Sequence, residues 1–218
     1  MELTKEQIQH IDTLLKTKGI KYWDLRIEMI DHIVSDVEEN STTNDFKIEL
    51  EKSLVKLDWH KSLHKENQEG WKNVNKKYRK EYVKEVLSFF KSFRNVFIYT
   101  LFTFLYYFIT IQVDFDNFKK LSLVFFLTPS TLFLFSITKQ IMKQYGKSVN
   151  LDYGIFYFSF PFLMISLPLQ LIKEAPDNIQ KLLSIALIPL FWVFSYAGYK
   201  VYKTAFTKVE KMKKELAL

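Results

Sequence analysis

The residue types best suited to chemistry near the amino terminus are Glu28, His32 and Asp36, which follow one another at intervals of four residues. On a helix this spacing puts all three side chains on one face, and Asp31 lies beside them. An imidazole between carboxylates is a workable arrangement for metal binding or proton exchange. The alternative is a solvated helix face, which we favour because a zinc site needs three or four convergent ligands.

Two other histidines, His60 and His64, are one helical turn apart and could also supply two metal ligands. They lack the glutamate and glycine context of a zinc-peptidase motif, and the chain has no cysteine. It also has no phosphate-binding loop, dinucleotide fingerprint or nucleophile elbow. We therefore predict no cofactor, no metal ligand and no catalytic residue; a membrane-associated metal-binding protein or enzyme is an alternative.

Four apolar runs of membrane-spanning length occupy the second half of the chain. They cover residues 96–113, 121–138, 153–172 and 182–202, inside a predicted membrane domain of residues 95–204. A helix that crosses a bilayer needs about 20 mostly apolar residues. The start of the chain has no basic and apolar pattern of a secretory signal, so the first run is expected to direct membrane insertion.

The distribution of charge predicts the orientation in the membrane. Residues 1–70 hold 10 Lys/Arg and 15 Asp/Glu, a local charge of −5, whereas residues 71–94 hold 8 and 2, a local charge of +6. The loop 139–152 and the tail 205–218 are also basic. Because basic loops stay on the cytoplasmic side, we expect an inner-membrane protein with both termini in the cytoplasm. Basic charge next to the spans indicates contact with anionic lipid and no nucleic-acid partner.

The amino-terminal residues 1–66 predict a small acidic three-helix domain, so that the whole protein is all-α. The predicted helices cover residues 4–16, 21–39 and 45–59, and Thr4 with Gln7 fits a capping box at the first of them. Residues 60–70 are polar and predict a linker or a frayed helix.

Residues 67–94 predict a basic juxtamembrane helix with an aromatic face. Such a helix suits an anionic bilayer surface, or serves only as an anchor that fixes orientation. The residues expected at the membrane surface are Lys72, Lys76, Lys77, Arg79, Lys80 and Lys84.

The apolar runs offer little to a transport pathway. Ionisable side chains are confined to their ends, and the larger polar groups are Gln112 and Gln170. A small-solute or ion transporter or channel component is therefore kept as an alternative function.

The segment Leu-Arg-Ile-Glu-Met-Ile-Asp-His-Ile at residues 25–33, with Asp36 and the pair Glu38-Glu39, resembles the HAAS-type helical signalling domain. This module is associated with PadR-type transcription regulators and precedes membrane spans. The chain as a whole also resembles multi-pass membrane proteins of Bacteroidetes-type bacteria. The resemblance covers residues 4–59, although the module's usual Leu-Gly-x-Pro ending is absent at residues 57–60. It implies a cytoplasmic interaction or signalling module tethered to a membrane domain.

Together these observations predict a regulatory or scaffolding membrane protein. Its acidic second helix is expected to contact a cytosolic protein or another copy of the chain, and the spans to anchor it. The residues predicted to make that contact are Arg26, Glu28, Asp31, His32 and Asp36.

Overall fold

The structure, a computed structural model, describes residues 2–171 and 173–216, except for the side chains of residues 60–62 and 139. Within this part of the chain it has eight α-helices and no β-strand, which confirms the all-α prediction. The chain divides into two compact units. The first comprises Met1–Lys76 and Gly146–Asp152, and the second comprises Lys77–Tyr145 and Tyr153–Leu218.

The first unit is built on three short helices, α1 (Lys5–Thr17), α2 (Trp23–Asn40) and α3 (Phe46–Lys56). Their apolar side chains recur at helical spacing, which gives each helix one face to bury. The most deeply buried apolar side chains of α1 and α2, all 2% exposed or less, are Ile11, Leu15, Ile33 and Val37.

The predicted capping box at the start of α1 is confirmed. The Thr4 hydroxyl accepts the backbone N–H of Gln7 at 3.3 Å, and the Gln7 side chain accepts the backbone N–H of Thr4 at 2.8 Å. Gly19, just beyond the end of α1, has φ +95°, a conformation that glycine adopts without strain. These two features fix the length of α1.

Residues 60–70, for which a linker or a frayed helix was predicted, belong to a single helix, α4 (Trp59–Lys91). The predicted third helix was also too long, since α3 ends at Lys56 and Asp58 takes a φ of 58° before α4 begins. The Lys, Glu and Gln residues of this stretch are good helix formers, and it contains no proline. Polarity alone therefore did not distinguish a linker from a helix.

The second unit contains the end of α4 and four helices that are long and apolar enough to cross a membrane, except for residues 149–152 at the start of one of them, which belong to the first unit. Large apolar side chains are exposed along them, for example Phe135 at 69%, which a bilayer tolerates and water does not. This indicates an integral membrane protein. The four helices are α5 (Phe93–Gln112), α6 (Phe115–Met142), α7 (Val149–Leu171) and α8 (Asp177–Leu216).

Each predicted span lies on one of these helices, except that Val113, the last residue of the first run, follows the end of α5, and all four helices are longer than the predicted runs. The predicted third run ends at Ile172, which lies outside the described residues. The predicted tail 205–218 is helical as far as Leu216, because α8 continues beyond its apolar part and buries Ala205 and Val209. The last two residues, 217 and 218, lie outside the described residues.

The contact between α7 and α8 requires glycine. A Cβ atom added at Gly198 would lie 2.5 Å from the backbone oxygen of Tyr157 and 2.9 Å from the Cα atom of Phe158. One added at Gly154 would lie 2.7 Å from the Cβ atom of Ala205. Small residues let two membrane helices approach closely, so these positions set how the two helices cross.

The carboxyl-terminal part of α4 packs within the second unit through its aromatic face. Tyr78 is fully buried. The centroid of the Tyr82 ring lies 5.6 Å from that of Tyr157 and 6.1 Å from that of Phe160. Glu85 pairs with Lys200 of α8 at 2.7 Å. Protein therefore covers the tyrosines that an interfacial helix would bury in lipid, while all six predicted membrane-surface residues, Lys72, Lys76, Lys77, Arg79, Lys80 and Lys84, are exposed.

Candidate functional site

The most extensively bonded carboxylate of the first unit is Asp24, in the first turn of α2. It is 1% exposed and accepts hydrogen bonds from a segment about 125 positions later in the chain. Its Oδ2 atom accepts the Ser148 hydroxyl at 2.7 Å, and the Asn150 backbone N–H at 3.0 Å and side-chain Nδ2 at 2.7 Å. Its Oδ1 atom accepts the Val149 N–H at 3.1 Å. We call Asp24, Ser148, Val149 and Asn150 the Asp24 cluster.

The Asp24 cluster lies at the amino terminus of α7. The first N–H groups of a helix have no partner within the helix, and the helix dipole favours negative charge there. The Ser148 hydroxyl also accepts the N–H of Leu151 at 3.2 Å, as an N-cap residue does. Asp24 therefore completes the cap of α7 from a distant part of the sequence.

Two neighbouring contacts hold the same segment in the first unit. The backbone N–H of Trp23 donates to the Lys147 carbonyl at 3.2 Å. Gly146 has φ +75°, and a Cβ atom there would meet the Trp23 ring at 3.7 Å. These contacts extend the Asp24 cluster over residues 146–150 and attach α2 to the segment from which α7 begins.

The burial of Asp24 decides what the cluster can do. A solvent-exposed carboxylate can bind a cation, whereas this one is enclosed and bonded to four donors from residues 148–150. A fully satisfied buried carboxylate fixes geometry. The arrangement is suited to a structural connection between the helical domain and the start of α7.

The five residues predicted for partner contact fall into two groups. Glu28, Asp31 and His32 are exposed on α2. The His32 ring lies edge-on to the Trp59 ring, with 6.2 Å between their centroids. This leaves an acidic, solvent-accessible surface with one imidazole, which we call the Glu28 surface (Glu28, Asp31 and His32).

The other two residues, Arg26 and Asp36, are engaged inside the domain. Arg26 donates to Asp12 at 2.7 Å and to the Ile20 carbonyl at 3.0 Å. Asp36 accepts from Lys56 of α3. Burial raises the pKa of Asp36, but the hydrogen bonds from Lys56 and Asn40 and the charge of Lys56 together lower it by more, so that its pKa lies below the usual value. Both residues therefore stabilise the domain.

No group of three or more potential metal ligands converges within the described residues. Glu28 and His32 are exposed, whereas Asp36 is bonded to Lys56. The His64 ring is 3.1 Å from the side-chain nitrogen of Gln68. The side chain of His60, the other weak candidate ligand, lies outside the described residues.

The Asp24 cluster was not identified from the sequence. A carboxylate in the first turn of a helix ordinarily indicates an interaction with that helix's own dipole. The Ser-Val-Asn sequence at 148–150 does signal a helix start, and the Ser148 cap could have been predicted from it. No local pattern connects that cap with Asp24.

Comparisons with protein-family models, with curated proteins and with solved structures find no match to this chain. The resemblance of residues 4–59 to the HAAS-type domain therefore stays a prediction.

Proposed function

We propose that this chain is a membrane-anchored regulatory or scaffolding protein. Its amino-terminal helical domain binds a cytosolic protein, or the same domain of another copy, and its four apolar helices hold that domain at the inner membrane. The observation that carries the proposal is the Asp24 cluster, because it ties the domain's second helix to the residues that open α7.

Such a tie suits a protein whose amino-terminal domain is held by the residues that open an apolar helix. The exposed Glu28 surface supplies charge for recognition, and carboxylates of this kind steer a basic partner toward its binding site.

The proposed orientation places both termini and the loop 139–152 in the cytoplasm. Basic residues near the spans support it through the positive-inside bias. Residues 146–152 belong to the same compact unit as the amino-terminal domain, which also supports placing them on one side of the bilayer.

The positions of the two glutamines give the transport alternative little support. Gln112 is the last residue of α5, and Gln170 is the penultimate residue of α7; both are exposed. Groups at the ends of helices do not form a pathway through the middle of a bilayer. We therefore do not advance transport as a second function.

The test uses the full-length chain in detergent, tagged at its carboxyl terminus and exposed to cytosolic extract. We expect a stoichiometric partner, or a second copy detected by light scattering, that is lost in Glu28→Lys/Asp31→Lys. The matched control is Glu66→Lys/Glu69→Lys, which has the same spacing and change of charge on α4. Equal capture by both double variants would contradict a role for the Glu28 surface, and a monomer with no partner would contradict the proposed function.

A further inference from the structure

The second unit contains a groove between α6 and α8 that the proposed function does not use. Its volume is about 650 Å³, within the range of roughly 300–1,000 Å³ found for ligand cavities. It follows α6 from Pro129 to Lys143 and α8 from Trp192 to Phe206, which is four turns of each helix or roughly 20 Å.

The walls of the groove are apolar along most of this length. Leu132 and Phe135 of α6 line it and are 57% and 69% exposed, and Phe158 of α7 lines it from a buried position. These residues belong to helices that are apolar enough to cross a membrane, so the open rim faces hydrocarbon. An acyl chain has the shape and polarity to lie along such a wall.

One end of the groove is polar and positively charged. Lys143 and Lys203 line it there, just beyond the apolar parts of α6 and α8. Lys143 is paired with Glu210 at 2.7 Å. Lys203 is exposed, and within the described part of the chain no carboxylate lies within 4.0 Å of it. The end therefore carries an uncompensated cation.

A third polar group at this end has an unmet hydrogen-bonding requirement. The side-chain oxygen of Gln140 is buried and has no hydrogen-bond partner among the described residues. Gln140 lines the groove one helical turn from Lys143. Because a buried polar atom without a partner is costly, a ligand with a hydroxyl group at this place would be stabilised.

We propose that this groove binds an anionic glycerophospholipid from the surrounding bilayer. The phosphate lies against Lys143 and Lys203, a hydroxyl of the headgroup donates to Gln140, and one acyl chain follows the apolar wall toward Pro129. Basic pockets between membrane helices recognise anionic headgroups in this way. The charge confined to one end distinguishes this occupant from a second copy or a purely apolar molecule.

Trp192 provides the measurement, because it lines the groove while Trp23, Trp59 and Trp71 belong to the first unit. The full-length chain is reconstituted in phosphatidylcholine vesicles with a small fraction of brominated phosphatidylglycerol or, in parallel, brominated phosphatidylcholine. Bromine quenches a tryptophan that it touches. The Trp192→Phe variant gives the quenching that comes from the other three tryptophans.

We expect the brominated phosphatidylglycerol to quench Trp192 at a lower mole fraction than the brominated phosphatidylcholine. Lys203→Gln should weaken that preference about fivefold, the contribution of one lysine near an anionic surface. Lys214→Gln, which removes the same charge further along α8, should leave the preference unchanged. The Lys203 change breaks no ion pair among the described residues, so we expect the fold to be retained.

Equal quenching by the two lipids would contradict recognition of the headgroup and leave only an apolar crevice. No quenching by either lipid would show that the groove is closed to lipid, for example by a second copy. A preference for phosphatidylglycerol that Lys203→Gln leaves intact would place the anionic site elsewhere. Each of these results would overturn the proposal.

Discussion

Asp24 and Asn150 are joined by two hydrogen bonds to one oxygen atom. The backbone N–H of Asn150 lies 3.0 Å from Oδ2 of Asp24, and its side-chain Nδ2 lies 2.7 Å from the same atom. A residue in the first turn of α2 is thereby bonded to the first turn of α7, 126 positions along the chain. The proposal that the amino-terminal domain is held by the residues that open α7 depends on this pair.

Replacing Asp24 with asparagine should release residues 146–150 from the first unit. Asparagine has the shape of aspartate but carries no charge. Its side-chain NH2 group would replace one carboxylate oxygen of Asp24 and could not accept the hydrogen bonds that this oxygen accepts. Hydrogen bonds to a charged group contribute about 1.5–3 kcal/mol each, so we expect a loss of about 3 kcal/mol in unfolding free energy. Thermal unfolding in detergent and tryptic cleavage at the exposed Lys147 measure it.

The matched control for this prediction is Asp31→Asn, an equal change at an exposed position of the same helix. It should leave both the unfolding temperature and the rate of cleavage at Lys147 unchanged. If Asp24→Asn behaves like this control, the Asp24 cluster does not hold the segment.

The stability of the first unit should fall in acid through Glu49. This carboxylate accepts hydrogen bonds from Lys52 at 2.9 Å, and from the Thr43 hydroxyl at 2.8 Å and backbone N–H at 3.0 Å, which lower its pKa to about 2. Because the folded-state pKa lies below the usual 4.5, the stabilisation is complete above pH 4.5. It is lost as the pH falls from there toward 2.

The variant Glu49→Gln should therefore unfold at a lower temperature than the parent at pH 7, and the difference should shrink as the pH falls below 4.5. Thermal unfolding recorded by circular dichroism at a series of pH values measures this difference in unfolding temperature. Glu51→Gln, at an exposed position of the same helix, is the control. A difference that stays constant with pH would contradict the assigned pKa.

Replacing Gly198 with alanine should disturb the contact between α7 and α8. The added Cβ atom would lie 2.5 Å from a backbone oxygen, which cannot move aside as a flexible side chain can. Overpacking of this kind costs about 1–3 kcal/mol. The thermal midpoint in detergent should fall, whereas Thr131→Ala, at an exposed site on α6, should have little effect. Equal thermal midpoints for Gly198→Ala and the parent would show that the close contact at Gly198 contributes little to stability.

Much of this fold could be predicted because its signals are local. A run of about 20 apolar residues, or a threonine three positions before a glutamine, determines its structure through near neighbours. All four spans and the cap at Thr4 were found in this way. At residues 60–70 the sequence left a linker and a frayed helix as alternatives, because polar side chains are compatible with both, and the structure has a continuous helix there.

The features that could not be predicted depend on distant partners. Arg26 and Asp36 were assigned to an interaction surface because charged residues on a helix are usually solvated. Their partners, Asp12 and Lys56, lie on α1 and α3 and are brought close only by folding. The same limit applies to Asp24, and to the groove, where Gln140 and Lys203 lie 63 positions apart in the sequence.

The most direct test of the four-span account is the accessibility of single cysteines, which the absence of native cysteine makes simple. Cysteines introduced separately at three exposed positions, Glu39, Met142 and Glu174, are labelled with a membrane-impermeant maleimide in intact cells and in inside-out vesicles. The account predicts labelling of the first two only in inside-out vesicles and of the third only in intact cells. Labelling of Glu39 and Met142 from opposite sides would contradict it, because the helical domain and the segment before α7 would then lie on different sides of the bilayer.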